Sequence, residues 1–409
     1  MKAASQQVGL IAAASPRDLD QHSQRLIFAN QLRGLAAFSV MLSHLIGVFW
    51  AERSVVAAAT SSPAQPGDVP SLFWLVAHPW FNFGPFGVAI FFLISGLVIP
   101  ISLGVHSRPS FLLARILRIY PTYLAALAVD LGVVWAGSRY WGLPFGHSAH
   151  TILANALLIQ DFLAEPSIDL VNWTLCIELK FYLLMALLAS AIRGGSVAAL
   201  FAVAAGALAF NLAASTPLLA SVAAAWPGLI DVVSHESFYV VFMLIGVIFN
   251  YRLRGLLSLH ALFASVAGLL LLFVACWRSG ALAGQYPVVT ANYVYALALF
   301  GALFMLRRWI RETRPLDALA AVSYPFYLIH GLVGYSLLKV LMLAGGLGYV
   351  AALAITVPIV LAVATILHLG VERWSIVVGK RLAVAKPPRL DEPSGLGGVA
   401  PVQGLRSHP

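Results

Sequence analysis

The segment FGPFGVAIFFLISGLVIPISL, residues Phe83–Leu103, contains no charged side chain and decides the class of fold. A bilayer core about 30 Å thick is crossed by a helix of roughly 20 mostly apolar residues, and this segment has that length. Nine other apolar segments flank it, and together they predict an all-α, polytopic membrane bundle of about ten transmembrane helices. The predicted spans lie near Leu32–Trp50, Phe83–Leu103, Ile119–Trp135, Trp173–Ile192, Ser196–Ala214, Ser237–Asn250 (extendable upstream toward Asp231), His260–Trp277, Ala291–Leu306, Val322–Leu338 and Gly348–Val371.

The composition also indicates a lipid environment. Hydrophobic residues make up 60% of the 409 residues and charged residues only 10%, whereas soluble domains carry about 25% charged residues. So little charge cannot cover a water-facing surface, and the lipid bilayer must therefore cover much of the protein. The net charge of +9 does not indicate nucleic-acid binding, because the basic residues do not form one patch. The two cysteines, Cys176 and Cys276, fit neither a disulfide framework nor a metal site.

Lysine and arginine residues are distributed unevenly between the segments that alternate across the membrane. If the N-terminus is cytoplasmic, 19 of the 25 lie in cytoplasmic segments, while Arg33 and Lys180 lie inside spans. The four on the other side are Arg53, Arg139, Arg278 and Lys339. Because positive charge concentrates in the cytoplasmic loops of membrane proteins, both termini are predicted to be cytoplasmic and the number of spans to be even. We expect a multi-pass protein of the cell (inner) membrane.

The polar ends of the chain flank one membrane domain. We expect a cytoplasmic N-terminal segment at 1–28, a transmembrane domain at 29–380 and a disordered, Gly- and Pro-rich cytoplasmic tail at 381–409. A cleaved signal peptide is not indicated, because no short apolar segment with a small-residue cleavage site follows a basic start. The apolar stretch Thr151–Leu163 is too short to span, and it predicts an interfacial or re-entrant helix.

Ionisable residues inside spans are costly in lipid, and by default they mark function. Arg33 and His44 lie eleven residues apart in the first span, which puts them on one helix face about 16 Å apart along the axis. Glu178 lies near the start of the fourth span, and Lys180 is two residues away and does not face it. Glu178 therefore needs a partner on another helix, for which His44 is a candidate. The alternatives are an interfacial arginine, a structural histidine and an ion pair that fixes helix register.

Two other polar groups are open to two interpretations. Ser323 and His330 are seven residues apart in the ninth span and share a face, with Pro325 breaking the hydrogen-bond ladder early in that helix. His330 either lines a functional chamber or is a structural core histidine. Arg115 and Arg118 are neighbours in a cytoplasmic segment, where paired guanidiniums suit bidentate phosphate binding or serve only as topological anchors.

Taken in chain order, these motifs resemble the acyltransferase-3 family of membrane O-acyltransferases over roughly 26–374. The matching features are Arg33 with His44, the run Phe91-Phe92-Leu93-Ile94-Ser95-Gly96, Arg115 with Arg118, Trp173-Thr174-Leu175 with Glu178, and Ser323-Tyr324 with His330. The resemblance implies transfer of an acyl group, acetyl or a related one, from cytoplasmic acyl-CoA to an acceptor hydroxyl. The acceptor is typically a cell-surface or lipid-linked glycan, and in some members a small secreted metabolite.

The resemblance also implies roles for individual residues. Arg115 and Arg118 would bind acyl-CoA, and Arg33, His44 and Glu178 would form the catalytic group, with His44 as general base and Glu178 orienting it or binding the acceptor. No metal is expected. The remaining candidate substrate-binding residues are Trp173, Ser323, Tyr327 and His330.

Departures from the family pattern are also visible. Ala89-Ile90 stands where members often carry an acidic residue, so no role carries over to that position. No esterase-like SGNH domain is expected, so this is a standalone membrane module. The rival hypothesis is a proton-coupled transporter or flippase, in which intramembrane His and Glu relay protons. Transporters commonly consist of two repeated halves, and no such repeat is visible in this sequence.

Overall fold

A computed structural model describes residues 26–383 except 215, 217–218, 220–224 and 226. The described residues form helices joined by turns and loops. Of the predicted N-terminal segment 1–28 and tail 381–409, only 26–28 and 381–383 are described, so both predictions lie essentially outside the described residues.

Eleven helices form the body of the protein, and several are long enough to cross a bilayer. They are α1 Ile27–Ala51, α2 Phe83–Val105, α3 Arg108–Trp141, α4 Trp173–Leu187, α5 Val197–Ala214, α6 Pro227–Leu253, α7 Leu259–Ser279, α8 Val288–Leu306, α9 Arg314–Ile329, α10 Leu332–Lys339 and α11 Tyr349–Leu367. Shorter elements are the helices Arg53–Ala59, Phe73–Val76, Ala149–Ala156, Ala189–Arg193 and Arg373–Ala383, the 3-10 turn Ala283–Gln285, and π-helical turns at Ser43–Val48, Val340–Ala344 and His368–Glu372.

In the described part of the chain, eight helices are long and apolar enough to span, or nine if the bent pair α9–α10 is one span. This agrees with a polytopic helical membrane protein, with fewer full-length spans than the ten predicted. The missing one is the fourth predicted span. Its helix α4 ends at Leu187, and only the short helix Ala189–Arg193 continues it. The expected upstream extension of the sixth span is confirmed, because α6 begins at Pro227.

The ninth predicted span is divided by a bend into two helices. Pro325 lies inside α9, which continues to Ile329. The chain then bends by 70° into α10, because Gly331 leaves the helical region with φ −66° and ψ −81°. Pro325 has no N–H to donate, so it removes one bond of the ladder without ending the helix, and the bend falls directly after His330.

Helix α2 lies at the centre of the bundle, where it packs against α1, α4, α6 and α8. Glycines permit its closest crossing, with α6. A Cβ atom on Gly96 would lie 2.1 Å from the carbonyl oxygen of Met243, and one on Gly246 would lie 2.4 Å from that of Leu93. The α1–α9 crossing is similarly close at Gly34, whose Cβ would lie 2.9 Å from the backbone nitrogen of Ala320. These close crossings bring the polar residues of α1, α2 and α9 near one another.

The loop between Ala149–Ala156 and α4 is held by a buried polar network. The Asn172 amide donates to the Tyr123 hydroxyl at 3.0 Å and to Asn155 Oδ1 at 2.7 Å. Asp169 Oδ1 accepts from the backbone N–H groups of Val171 at 3.0 Å and Asn172 at 2.8 Å. Because buried polar groups need such partners, this network fixes where α4 begins and therefore where Glu178 lies.

Candidate active site

Helices α1, α2, α3, α4 and α9 surround an open cavity, whose empty space is about 740 Å³ including the part open to solvent. Its lining combines apolar side chains with charged and hydroxyl side chains. The polar wall residues are Arg33, Ser95, Arg118, Thr174, Glu178, Tyr182, Ser323, Tyr324 and Tyr327, and the apolar ones are Val88, Phe91, Phe92, Ile94, Ile119 and Leu175. Cavities with a mainly apolar lining and a few convergent polar groups are typical ligand sites.

Glu178 is held on this wall by two hydroxyl groups. Ser95 donates to its Oε1 at 3.1 Å and Tyr182 donates to the same oxygen at 2.6 Å. The expectation of a partner on another helix is met by Ser95 of α2. Among the described residues the hydrogen bonds to Glu178 do not come from His44, which lies outside the cavity wall, so that candidate pairing is wrong. No described residue hydrogen-bonds to Oε2, and this oxygen is left for the cavity.

The cavity wall carries two guanidiniums, of Arg33 and Arg118, against one carboxylate, of Glu178. Neither arginine is within ion-pair distance of a carboxylate of the described residues. The other member of the predicted pair, Arg115, lies behind the wall, with its guanidinium carbon 5.7 Å from the ring centre of Tyr182. The site therefore has a surplus of positive charge, which suits an anionic ligand.

The two candidate histidines form a second group beside the cavity. His44 lies in the π-helical turn Ser43–Val48 of α1, a type of distortion that is common at functional sites. His330 lies at the α9–α10 break and is fully buried. Their ring centres are 4.9 Å apart, and the Tyr335 ring stacks on His44 at 6.3 Å. The structure thus brings together two histidines that are 286 positions apart in sequence, although neither lines the cavity itself.

Tyr327 lies between the cavity and the histidines. Its ring centre is 5.8 Å from that of His330, and its hydroxyl lies 3.0 Å from Thr174 Oγ1. Thr174 donates its only hydroxyl proton to the carbonyl oxygen of Val171 at 2.9 Å, so Tyr327 is the donor in the Tyr327–Thr174 bond. Lone pairs of the Tyr327 oxygen remain available to a ligand.

The other candidate substrate-binding residues divide between the cavity and the surrounding core. Ser323 is on the cavity wall and donates to the carbonyl oxygen of Ala320 at 2.7 Å. Trp173 is not on the wall, and it packs against Tyr239 at 5.3 Å between ring centres. The indole therefore belongs to the aromatic packing between α4 and α6.

Sequence reasoning assigned no role to four polar wall residues, Ser95, Thr174, Tyr182 and Tyr324. A signal for one of them was present, since Tyr182 lies four residues after Glu178 and therefore one helical turn away on the same face. Ser95 and Tyr324 come from helices distant in sequence, and their place on the wall depends on the packing of α2 and α9.

A separate group of charges lies where α4 meets α6. The Lys180 ammonium binds the carboxylates of Asp161 and Glu236, the latter at 2.7 Å. The three side chains are 26%, 17% and 13% exposed, so the group is largely shielded from solvent. Among the described residues, no three His, Cys, Asp or Glu side chains are grouped to hold a metal ion.

A family model described as an acyltransferase domain matches residues 26–369, nearly the whole helical bundle. No curated protein and no solved structure matches the chain. The chain therefore belongs to the acyltransferase-3 family and is a membrane-spanning acyltransferase.

Proposed function

We propose that this acyltransferase moves an acyl group, in the first instance acetyl, from cytoplasmic acyl-CoA to a hydroxyl of a cell-surface or lipid-linked glycan. The observation that carries the proposal is the cavity wall, on which Arg33 and Arg118 face open space with only Glu178 to balance them. By the predicted orientation, both arginines lie in the cytoplasmic half of the bundle. A polyanionic donor that arrives from the cytoplasm fits this arrangement.

Donor binding is assigned to the guanidiniums. Planar guanidiniums form bidentate, charge-assisted hydrogen bonds with phosphate oxygens, so Arg118 and Arg33 would hold the CoA phosphates. Arg115 would support them from behind through its contact with Tyr182. The acyl and pantetheine groups would then lie along the apolar side chains of the wall toward Tyr327, which faces the histidines.

His44 is the proposed general base. It takes the proton of the acceptor hydroxyl as the hydroxyl oxygen attacks the thioester carbonyl carbon, and the carbon–sulfur bond then breaks. The same proton passes to the departing CoA sulfur, so the histidine is unchanged at the end of a turnover. A chamber shielded by apolar helices protects the thioester from hydrolysis.

Glu178 is assigned to the acceptor. Because Ser95 and Tyr182 occupy Oε1, the other carboxylate oxygen can accept a hydrogen bond from a sugar hydroxyl. The same interaction would suit a small hydroxylated metabolite. Assaying both acceptor classes in parallel therefore decides between glycan and metabolite.

The test is transfer of labelled acetyl from acetyl-CoA to glycan acceptors in membranes that contain the protein. A general base contributes typically 10²–10⁴-fold to rate, so His44→Ala should lower transfer by about that factor. His44→Gln keeps a hydrogen-bonding side chain but cannot take the proton, so it should be nearly as inactive. Protein content and thermal unfolding are measured on the same samples.

Two results would contradict the proposal. If the parent protein transfers no acetyl from acetyl-CoA to any glycan or metabolite offered, the donor and acceptor classes are wrong. If His44→Gln keeps full activity, His44 is not the base.

A further inference from the structure

The tautomer of His330 is fixed by its surroundings. Its Nδ1 lies 2.8 Å from the carbonyl oxygen of Tyr327 and 3.2 Å from that of Phe326. A carbonyl oxygen only accepts hydrogen bonds, so Nδ1 must carry the proton. In the neutral ring, Nε2 is then an unprotonated acceptor. This nitrogen is buried and has no hydrogen-bond partner among the described residues.

His44 presents a complementary unsatisfied atom. Its Nδ1 is also buried without a hydrogen-bond partner in the described part of the chain. The ring as a whole is only partly buried, so the other nitrogen, Nε2, is the one left to meet a substrate. Leaving a polar atom buried and unpaired costs about 1–3 kcal/mol, which favours any small rotation that pairs these two nitrogens.

The spacing of the two rings allows that pairing. Their centres are 4.9 Å apart with the planes tilted by 45°. Each ring nitrogen lies about 1 Å from its own ring centre, so nitrogens that face each other across this gap come within roughly 3 Å, a normal hydrogen-bond distance. An N–H on His44 Nδ1 then points at the lone pair of His330 Nε2.

Among the described residues, no carboxylate, the usual orienting group for a catalytic histidine, lies within ion-pair distance of His44 or His330. Glu178 has Ser95 and Tyr182 as its hydrogen-bond partners. The Asp169 carboxylate caps its own loop, and only its carbonyl oxygen approaches Gly331 beside the histidines. His330 is therefore the group placed to orient His44.

We infer that His330 is a positioning residue, which accepts a hydrogen bond from His44 Nδ1–H and so keeps His44 Nε2 unprotonated toward the acceptor hydroxyl. This inference rests on the proposed function of His44 as base. His330 neither gains nor loses a proton in the reaction. The proton moves from the hydroxyl to His44 Nε2 and on to the CoA sulfur. The carbonyl groups of Phe326 and Tyr327 hold His330 in turn, which links the α9–α10 break to catalysis.

The test compares two substitutions at one position in the full-length protein in membranes. Leu at position 330 cannot accept a hydrogen bond, whereas the amide oxygen of Gln can. A catalytic histidine held in the wrong tautomer loses much of its rate, so His330→Leu should lower kcat by about tenfold or more. His330→Gln should recover part of that loss, and the KM for acetyl-CoA should be unchanged in both.

A second readout does not depend on acyl transfer. Diethyl pyrocarbonate acylates unprotonated imidazole nitrogens, and mass spectrometry of the His44 peptide gives the rate. His330→Leu should slow this reaction at His44, and His330→Gln should slow it less. The matched control is Tyr335→Phe, which keeps the ring stacked on His44 and removes a hydroxyl that has no partner among the described residues. It should change neither kcat nor labelling.

Each alternative outcome is decisive. If both His330 variants keep parental kcat while His44→Gln is inactive, the inference is wrong and the proposed base stands. If kcat falls but Gln is no better than Leu and labelling of His44 is unaltered, His330 is structural and the inference is again wrong. Full activity of His44→Gln would overturn the proposed base, and this inference with it.

Discussion

Two groups of charged side chains lie among the apolar helices, and they are arranged in opposite ways. At the junction of α4 and α6, Lys180 is bound on both sides by Asp161 and Glu236. On the cavity wall, Arg33 and Arg118 face open space without a carboxylate in ion-pair distance among the described residues.

We expect this difference to distinguish structural charge from functional charge. A cation enclosed by two carboxylates has its desolvation offset by its own neighbours, and it needs nothing else. Cations that line a cavity with too little negative charge are stabilised when an anion enters. The Lys180 group should therefore act on folding, and the arginines on donor affinity.

The largest effect is expected at the cavity. Removing a charged hydrogen-bonding group costs about 1.5–3 kcal/mol, so Arg118→Ala should raise the KM for acetyl-CoA by about 10- to 100-fold. Acetyl-pantetheine lacks the adenosine phosphates, and its kcat/KM should hardly change. Steady-state kinetics with the two donors separates lost phosphate contacts from general damage.

Arg115→Ala is the matched comparison. Arg115 lies on the ring of Tyr182 behind the wall, so the rise in KM should be smaller than for Arg118→Ala. If Arg118→Ala lowers kcat/KM equally with acetyl-CoA and acetyl-pantetheine, this arginine does not bind phosphate. The cavity arginines would then not be donor-binding charges.

A substitution in the Lys180 group should have an intermediate effect, and this effect should be on the stability of the fold. Lys180→Met leaves two carboxylates side by side with no cation between them. The free energy of unfolding should fall by about 2 kcal/mol. This is less than the loss expected for a fully buried ion pair, because these side chains are partly exposed. The KM for acetyl-CoA should stay at the parental value. Thermal unfolding in detergent measures the first quantity, and donor kinetics the second.

The double variant Lys180→Met with Glu236→Gln sharpens this result. It removes one of the two like charges, so it should be more stable than Lys180→Met alone. The Lys180 group would not be purely structural if the double variant were no more stable than Lys180→Met. The same conclusion would follow if either variant raised the KM for acetyl-CoA.

The fold was largely readable from the sequence because the length of an apolar segment is a local property. The segments at Phe83–Leu103 and Leu32–Trp50 correspond directly to α2 and α1. The break after His330 was not readable, because a helix bends there where Gly331 packs beside the Asp169 carbonyl and His44. Pro325 was visible as a local signal, but α9 continues through it to Ile329.

Sequence reasoning named several residues that line the cavity, but it did not fix their contacts. That Glu178 needs a partner on another helix follows from the cost of a charge in lipid. That this partner is Ser95 depends on how α2 and α4 are rotated against each other, which periodicity does not fix. For the same reason, the Arg115–Arg118 pair was readable, but the side of the wall on which each lies was not.

Asp169 is a buried acid of a third kind. Among the described residues it has no cation within ion-pair distance, and it does not line the cavity. It is 2% exposed, and burial raises its pKa to about 6 although backbone N–H groups of Val171 and Asn172 oppose the shift. A carboxyl whose pKa is higher in the folded than in the unfolded state stabilises most at low pH, and this stability is lost as the pH rises through the folded value.

The smallest effect is therefore expected from Asp169→Asn, whose amide oxygen can still accept from the two backbone N–H groups while the charge is gone. Between pH 5 and pH 7 the parent should lose about 1 kcal/mol of stability relative to this variant. The measurement is the difference in thermal unfolding between the two proteins at both pH values, which cancels every other titrating group. Asp169→Ala removes the acceptor as well, so it should be less stable than Asp169→Asn at both. A parent–Asn difference that does not change with pH would show that Asp169 keeps an ordinary pKa. Hydrogen bonds from the backbone alone would then hold a buried charge in this protein, and the division between paired structural charges and unpaired functional ones would need a third class.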